Sequence, residues 1–295
     1  MNKTMVRTCL AVCAMVFLSA YPAGALAQQR YRVAACDWMM LKRQKLGEFQ
    51  LARDIKADGV EMDMGPLGQR PMFDNKLRDD HFRQLFRRTA DSLQIAVPSL
   101  AMSGFFAQSF LKRDNYKELI ADCLQSMDVM GATVAFLPLG GCGNEWQQAG
   151  AQHDEMVSRL HAVGEMARRA KKVIAIRTAL PAAESLRLLK EIHSKGIKIY
   201  YNLQDAVDQH RNPCDELRLL GRKNVAQIHA SLTDSVTLDR DPRIDMRQVR
   251  QTLDGMKWSG WLVVERSRNA KDVRNVKANF GTNVAYLKEI FQGDR

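Results

Sequence analysis

Glu265 closes the run Trp261-Leu262-Val263-Val264, and His229 closes Val225-Ala226-Gln227-Ile228. An ionised carboxylate ending an apolar stretch is costly unless it is paired or ligated. A carboxylate and an imidazole are also the side chains that move protons near neutral pH. Each has a structural alternative: His229 as a hydrogen-bonded core residue, Glu265 as the ion-pair partner of Arg266. Arg177 ends Val173-Ile174-Ala175-Ile176 and brings a fixed charge, or a structural ion pair with Glu61 or Asp205. Glu61 and Asp63 end a third run; Glu61 could instead anchor a loop through backbone N–H groups. Gly140-Gly141-Cys142-Gly143 offers backbone amides to an anion, but it lacks the Lys and Ser/Thr of a phosphate loop and reads as a tight turn. Phe105-Phe106 is either a lid or loop packing.

These residues end short β-rich segments that alternate with longer helical ones. Strands are predicted over Tyr31–Trp38, Gly59–Met64, Ile95–Met102, Thr133–Leu139, Val173–Ala179, Ile197–Leu203, Val225–Ala230 and Trp261–Ser267. Amphipathic helices are predicted over Phe82–Leu93, Tyr116–Met130, Met156–Ala170, Ala183–Lys195 and Met246–Met256, with Gly131, Gly196 and Gly221 as C-terminal caps. Eight such units predict an α/β fold, a parallel (β/α)8 barrel. The runner-up, a doubly wound open sheet, would carry a Gly-rich turn where Ala34-Ala35-Cys36-Asp37-Trp38 stands. In a barrel, chemistry gathers at the C-terminal strand ends. Polar groups stand at nearly all of them here.

The chain has 295 residues, 46% apolar and 26% charged, with 8 Pro and 18 Gly, which excludes a disordered tail and a small disulfide scaffold. Lys3 and Arg7, an apolar run from Cys9 to Ala20, and Ala25-Leu26-Ala27 predict a signal peptide over residues 1–27, with the barrel domain over 28–295. The mature chain is expected to be exported, periplasmic or secreted, without a membrane span. Losing Lys3 and Arg7 takes the formal charge from +11 to +9. The cations Arg83, Arg87, Arg88, Arg168, Arg169, Lys171 and Lys172 read as a solvated basic surface, and no nucleic-acid partner is expected. Cys36, Cys123, Cys142 and Cys214 have no CxxC spacing and read as free or buried thiols, with one bridge left open.

Asp58-Gly59-Val60-Glu61, Ile228-His229 and Gly260-Trp261-Leu262-Val263-Val264-Glu265 resemble the xylose isomerase-like barrel family of sugar isomerases and epimerases. The resemblance implies a (β/α)8 barrel and, in many members, a divalent metal held by Glu, Asp, His and Glu on strands five to eight. His229 and Glu265 match the last two positions and are the two candidate ligands. Arg177 and Asn202 stand at the other two. A guanidinium cannot ligate a cation, so tight metal binding is not expected and no cofactor is assigned.

The set then implies proton abstraction next to a carbonyl of a sugar or keto-sugar: isomerisation, epimerisation or β-elimination. Glu265 would be the base, His229 its acid partner or hydrogen-bonding neighbour, and Arg177 the electrostatic substitute for the metal. Glu61, Asn202, Gln204, Asp205 and Arg266 would bind substrate, and Trp38, Phe105 and Trp146 could stack on a sugar ring. The alternative is a non-catalytic carbohydrate-binding barrel that has lost its metal. DNA-repair endonucleases of the same fold need a His/Asp/Glu-rich metal cluster not found here. The sugar and the oligomeric state are not legible.

Overall fold

The computed structural model describes residues 30–293; the leader expected over residues 1–27 lies outside them. Eight strands, β1 Tyr31–Cys36, β2 Gly59–Asp63, β3 Ser99–Ala101, β4 Val134–Pro138, β5 Val173–Arg177, β6 Ile197–Asn202, β7 Val225–His229 and β8 Gly260–Val264, follow one another around a closed parallel barrel. Five residue pairs from Tyr31↔Gly260 to Ala35↔Val264 close it. The helices are α1 Gly47–Asp54, α2 Asp80–Leu93, α3 Tyr116–Met130, α4 Ala151–Arg169, α5 Ala182–Ile192, α6 Leu203–Asp208, α7 Pro213–Leu220, α8 Met246–Gly255 and α9 Val276–Gln292. None of them is long and apolar enough to cross a membrane.

Strand alternation divides the core in two. Val33, Val60, Leu100, Leu137, Ile174, Ile176, Leu262 and Val264 face the helices. Ala34, Cys36, Ala101, Val134, Phe136, Ala175, Tyr200 and Val263 form a separate interior cluster. The small Ala residues leave room for Phe136 and Tyr200, whose rings meet at 4.6 Å. Both faces are covered, so each strand reads as a nearly continuous buried run. Each large buried apolar side chain contributes about 1.5–3 kcal/mol.

Several boundaries differ from the sequence reading for local reasons. β3 is only three residues long, because Pro98 has no N–H for the ladder; a lone bridge pairs Ala96 with Gly59. β6 stops at Asn202, whose side-chain oxygen accepts the Gln204 N–H (2.9 Å) and caps α6. Gly131 caps α3 at φ 73° and Gly221 caps α7 at φ 69°. Gly196 does not cap: α5 ends at Ile192 with His193 as its left-handed cap, and a Cβ on Gly196 would lie 1.9 Å from the Gly164 carbonyl. Its role is to let α4 pack directly on the start of β6. All four cysteines of the described residues are free and buried.

Candidate active site

Five charged or ionisable side chains form a continuous chain through the upper barrel. Glu61 on β2 is fully buried. One of its oxygens meets His229 Nε2 at 2.8 Å, and the other accepts from Ser99 Oγ (2.6 Å) and Tyr200 OH (2.7 Å). His229 Nδ1 faces Glu265 Oε2 at 3.5 Å. That same oxygen lies 3.3 Å from Arg177 Nη1 and 3.4 Å from Asn202 Nδ2. Arg177 continues to Asp205 through Nε (2.9 Å) and Nη2 (2.7 Å), a bidentate pair. Burial works against the charged form of Glu265, but His229, Arg177 and Arg266 outweigh it and hold the carboxyl below its usual range.

The backbone is shaped to present these groups. Ser231 Oγ accepts from the backbone N–H groups of Glu265 (3.1 Å) and Arg266 (3.0 Å). Ala179 (φ 59°) and Ser267 (φ 62°) adopt the left-handed conformation, each two residues beyond Arg177 or Glu265. A non-glycine residue there costs about 1–2 kcal/mol, and the strain turns the chain sharply away from the strand end. Ser267 is fixed by three hydrogen bonds with Leu232.

The other residues singled out in the sequence fall into three groups. Trp38 and Phe106 stand over the mouth. Trp38 stacks on Phe136 (6.2 Å, 7°) and meets His229 edge-on, while Phe106 is 37% exposed, packs on Phe136 and lies under the Arg177 guanidinium at 5.4 Å. Gln204 stands half-buried on α6 with a buried Oε1 that has no partner among the described residues, and half-exposed Arg266 pairs with Asp234, at 3.9 Å. Phe105 and Trp146 are buried, against Phe73 and Phe110 in the first case, so neither offers a ring to a ligand. Glu61 anchors no loop; its oxygens are taken by His229, Ser99 and Tyr200. Gly140–Cys142 is a short 3-10 turn in which a Cβ on Gly141 would lie 2.3 Å from the Gln108 carbonyl.

Tyr200 and Phe136 were missed. The adjacent Tyr201 points outward, to Glu216 (3.0 Å). Strand parity held the signal: if Asn202 faces inward, so does Tyr200 two residues earlier. A second acidic group joins Asp63, read from the sequence at its strand end, to Glu48, which was missed. Asp37, Glu48 and Asp63 are all fully buried next to the mouth, with Arg43 Nε at 3.3 Å from Asp63 as their cation. Burial raises Asp37 to about 6. Burial, reinforced by the Asp37 charge, raises Asp63 to about 8 and Glu48 well above its usual range.

Residues 49–290 match the xylose isomerase-like TIM barrel family, and the chain belongs to it. Among solved structures it is similar to a D-psicose 3-epimerase (TM-score 0.69, 11% identity, 89% of this chain and 100% of that one). It is similar also to a 3-keto-D-glucoside 4-epimerase from E. coli (0.67, 14%, 88% and 99%) and a probable 3-DHS dehydratase from Bacillus anthracis (0.64, 13%, 87% and 98%). At these identities the likeness is one of fold. No curated protein matches the sequence.

Proposed function

We propose that the chain is an exported, sugar isomerase- or epimerase-like enzyme that removes a proton next to the carbonyl of a sugar or keto-sugar, with little or no metal dependence. The observation that carries this reading is the environment of Glu265 Oε2, which has Arg177, Asn202 and His229 within 3.3–3.5 Å. All three contacts use Oε2, leaving Oε1 to take a proton. The C–H electron pair then moves onto the carbonyl oxygen. Arg177 spends three of its five N–H donors on Asp205 and Glu265, and the remaining two can meet the developing oxyanion. Handing the proton to the neighbouring carbon gives isomerisation, handing it to a departing β-hydroxyl gives elimination of water, and protonation of the opposite face by solvent gives epimerisation. His229 serves as the hydrogen-bonding neighbour of Glu265, fixed from behind by Glu61. The names of the similar structures, two keto-sugar epimerases and a dehydratase, support the same class of reaction.

A divalent ion does not fit these residues. The guanidinium at the β5 position has no lone pair to give, and the Asn202 carbonyl oxygen is a neutral donor that already accepts from the Gln204 N–H, where a carboxylate would bring charge. Among the described residues no group of three or more His, Cys, Asp or Glu is placed to hold a metal. Export rests on the leader in the sequence: exported material should begin near Gln28 on N-terminal sequencing, and an intact Met1 there would remove this part of the proposal.

A second reading is favoured by the burial of Glu265 and His229 beneath Trp38 and Phe106, which suits a carbohydrate-binding barrel without turnover. Incubation with a panel of keto-sugars in D2O separates the two. Deuterium uptake at carbon by the wild type, absent in Glu265→Gln, supports the enzyme. Saturable sugar binding with no uptake supports the binder.

A further inference from the structure

At the opposite end of the barrel from Glu265, the C-terminal ends of α4 and α5 and the first residues of β6 enclose a groove of about 1040 Å³. Its lining includes Arg168, His161, His193, Lys195, Lys198 and Lys223. The one acid there, Glu165, is already neutralised by Arg168 (2.8 Å) and accepts from Ser194 Oγ (2.9 Å). Lys195, Lys198 and Lys223 enter no ion pair among the described residues. The close contact of Gly196 with Gly164 locks Lys195 beside the end of α4, where Arg169 and Lys171 extend the same field. Like charges gathered without counter-charges repel one another, and an anion relieves that repulsion.

We propose that this groove binds an acidic polysaccharide, a chain bearing carboxylate or sulfate groups, and holds the protein on it with the opposite mouth left free. The shape and lining select this partner among polyanions. No Phe, Tyr or Trp side chain lines the groove to give the large stacking platforms that single-stranded nucleic acids use. Its surface is concave and presents no aromatic anchor of the kind that inserts into a bilayer. The site is independent of the reaction assigned to Glu265.

The test compares two double charge reversals of equal net charge in the full-length protein: Lys195→Glu with Lys223→Glu in the groove, and Arg88→Glu with Lys117→Glu on exposed positions of α2 and α3. A third variant, Lys198→Gln, probes the half-buried lysine, and thermal melts confirm that each is folded. Binding to polygalacturonate and to heparin is measured across a salt series. The groove reversal should weaken both by roughly a hundred-fold and flatten the salt dependence. The surface reversal should leave binding near the wild-type level, and Lys198→Gln should weaken it by about ten-fold. Equal losses in the two doubles would reduce the effect to overall charge and overturn the proposal. So would no binding by the wild type, or tighter wild-type binding to single-stranded DNA or phosphatidylglycerol vesicles than to either polysaccharide.

Discussion

Two groups of buried acids lie side by side at the barrel mouth and behave in opposite ways. In one, Glu61, Glu265 and Asp205 alternate with His229 and Arg177, and every carboxylate has a donor. In the other, Asp37, Glu48 and Asp63 face one another, Asp37 and Glu48 share a side-chain hydrogen bond, and the cation beside them is Arg43, at 3.3 Å from Asp63. Glu61 and Glu265 are buried like the second group, and Asp205 is partly buried. Burial, with the Asp37 charge beside it, raises Asp63 to about 8, whereas at Glu265 the neighbouring His229, Arg177 and Arg266 outweigh burial and hold the carboxyl below its usual range. The first group is built to hold charge where chemistry can use it, and the second to hold protons.

The sharpest way to break this contrast is to remove charge from the paired group. Glu265→Gln should lower turnover by about 10²–10⁴-fold, the scale of a lost general base, with the fold retained because the swap is nearly isosteric. Steady-state kinetics on a sugar that exchanges deuterium checks it. Full activity in the Gln variant would dismiss Glu265 as the base.

Arg177→Ala strands two buried carboxylates, so it should cost stability as well as activity, by roughly 3–5 kcal/mol. Adding Asp205→Asn should recover part of the stability and none of the turnover. Denaturant titration of both variants reads this directly; additive losses would mean that Arg177 and Asp205 act separately. A smaller change, Tyr200→Phe, removes one hydrogen bond to the Glu61 carboxylate and should cost about 1.5–3 kcal/mol. Its effect on turnover should be less than that of Glu265→Gln, since Tyr200 reaches Glu265 only through Glu61 and His229.

The unpaired group should show itself in the pH dependence of stability. Asp37, Glu48 and Asp63 bind protons more tightly folded than unfolded. Their contribution is therefore full below about pH 4 and falls as pH rises to about 8 and beyond. Glu265 has the opposite sign: its contribution is present above the ordinary carboxylate range and is lost in acid. Melting temperature should decline between pH 5 and 9 in the wild type, and Glu48→Gln should flatten that decline. An unchanged slope in the variant would show that Glu48 carries no retained proton.

The eight strands were legible because parallel strands buried on both faces stand out as short apolar runs, and their C-terminal ends then pointed to Glu265, His229, Arg177 and Asn202. What the sequence could not supply was distance. That Arg177 touches Asp205 and Glu265 at once depends on where three strand ends converge. Glu48, in Gly47-Glu48-Phe49-Gln50, carries no local signal of burial, and only the packing of α1 on the barrel buries it. Gly196 reads as a cap because the sequence does not reveal the carbonyl of Gly164 lying against it. Phe105 and Phe106 are adjacent, and nothing local says which one turns to the mouth.

The central claim is that the fixed charge of Arg177 stands in for a metal ion beside Glu265. Deuterium exchange into a keto-sugar substrate, measured on wild-type protein before and after exhaustive chelation and again with added Mn²⁺, addresses it most directly. The account expects one rate in all three conditions. Loss of exchange on chelation, with recovery on adding Mn²⁺, would contradict it.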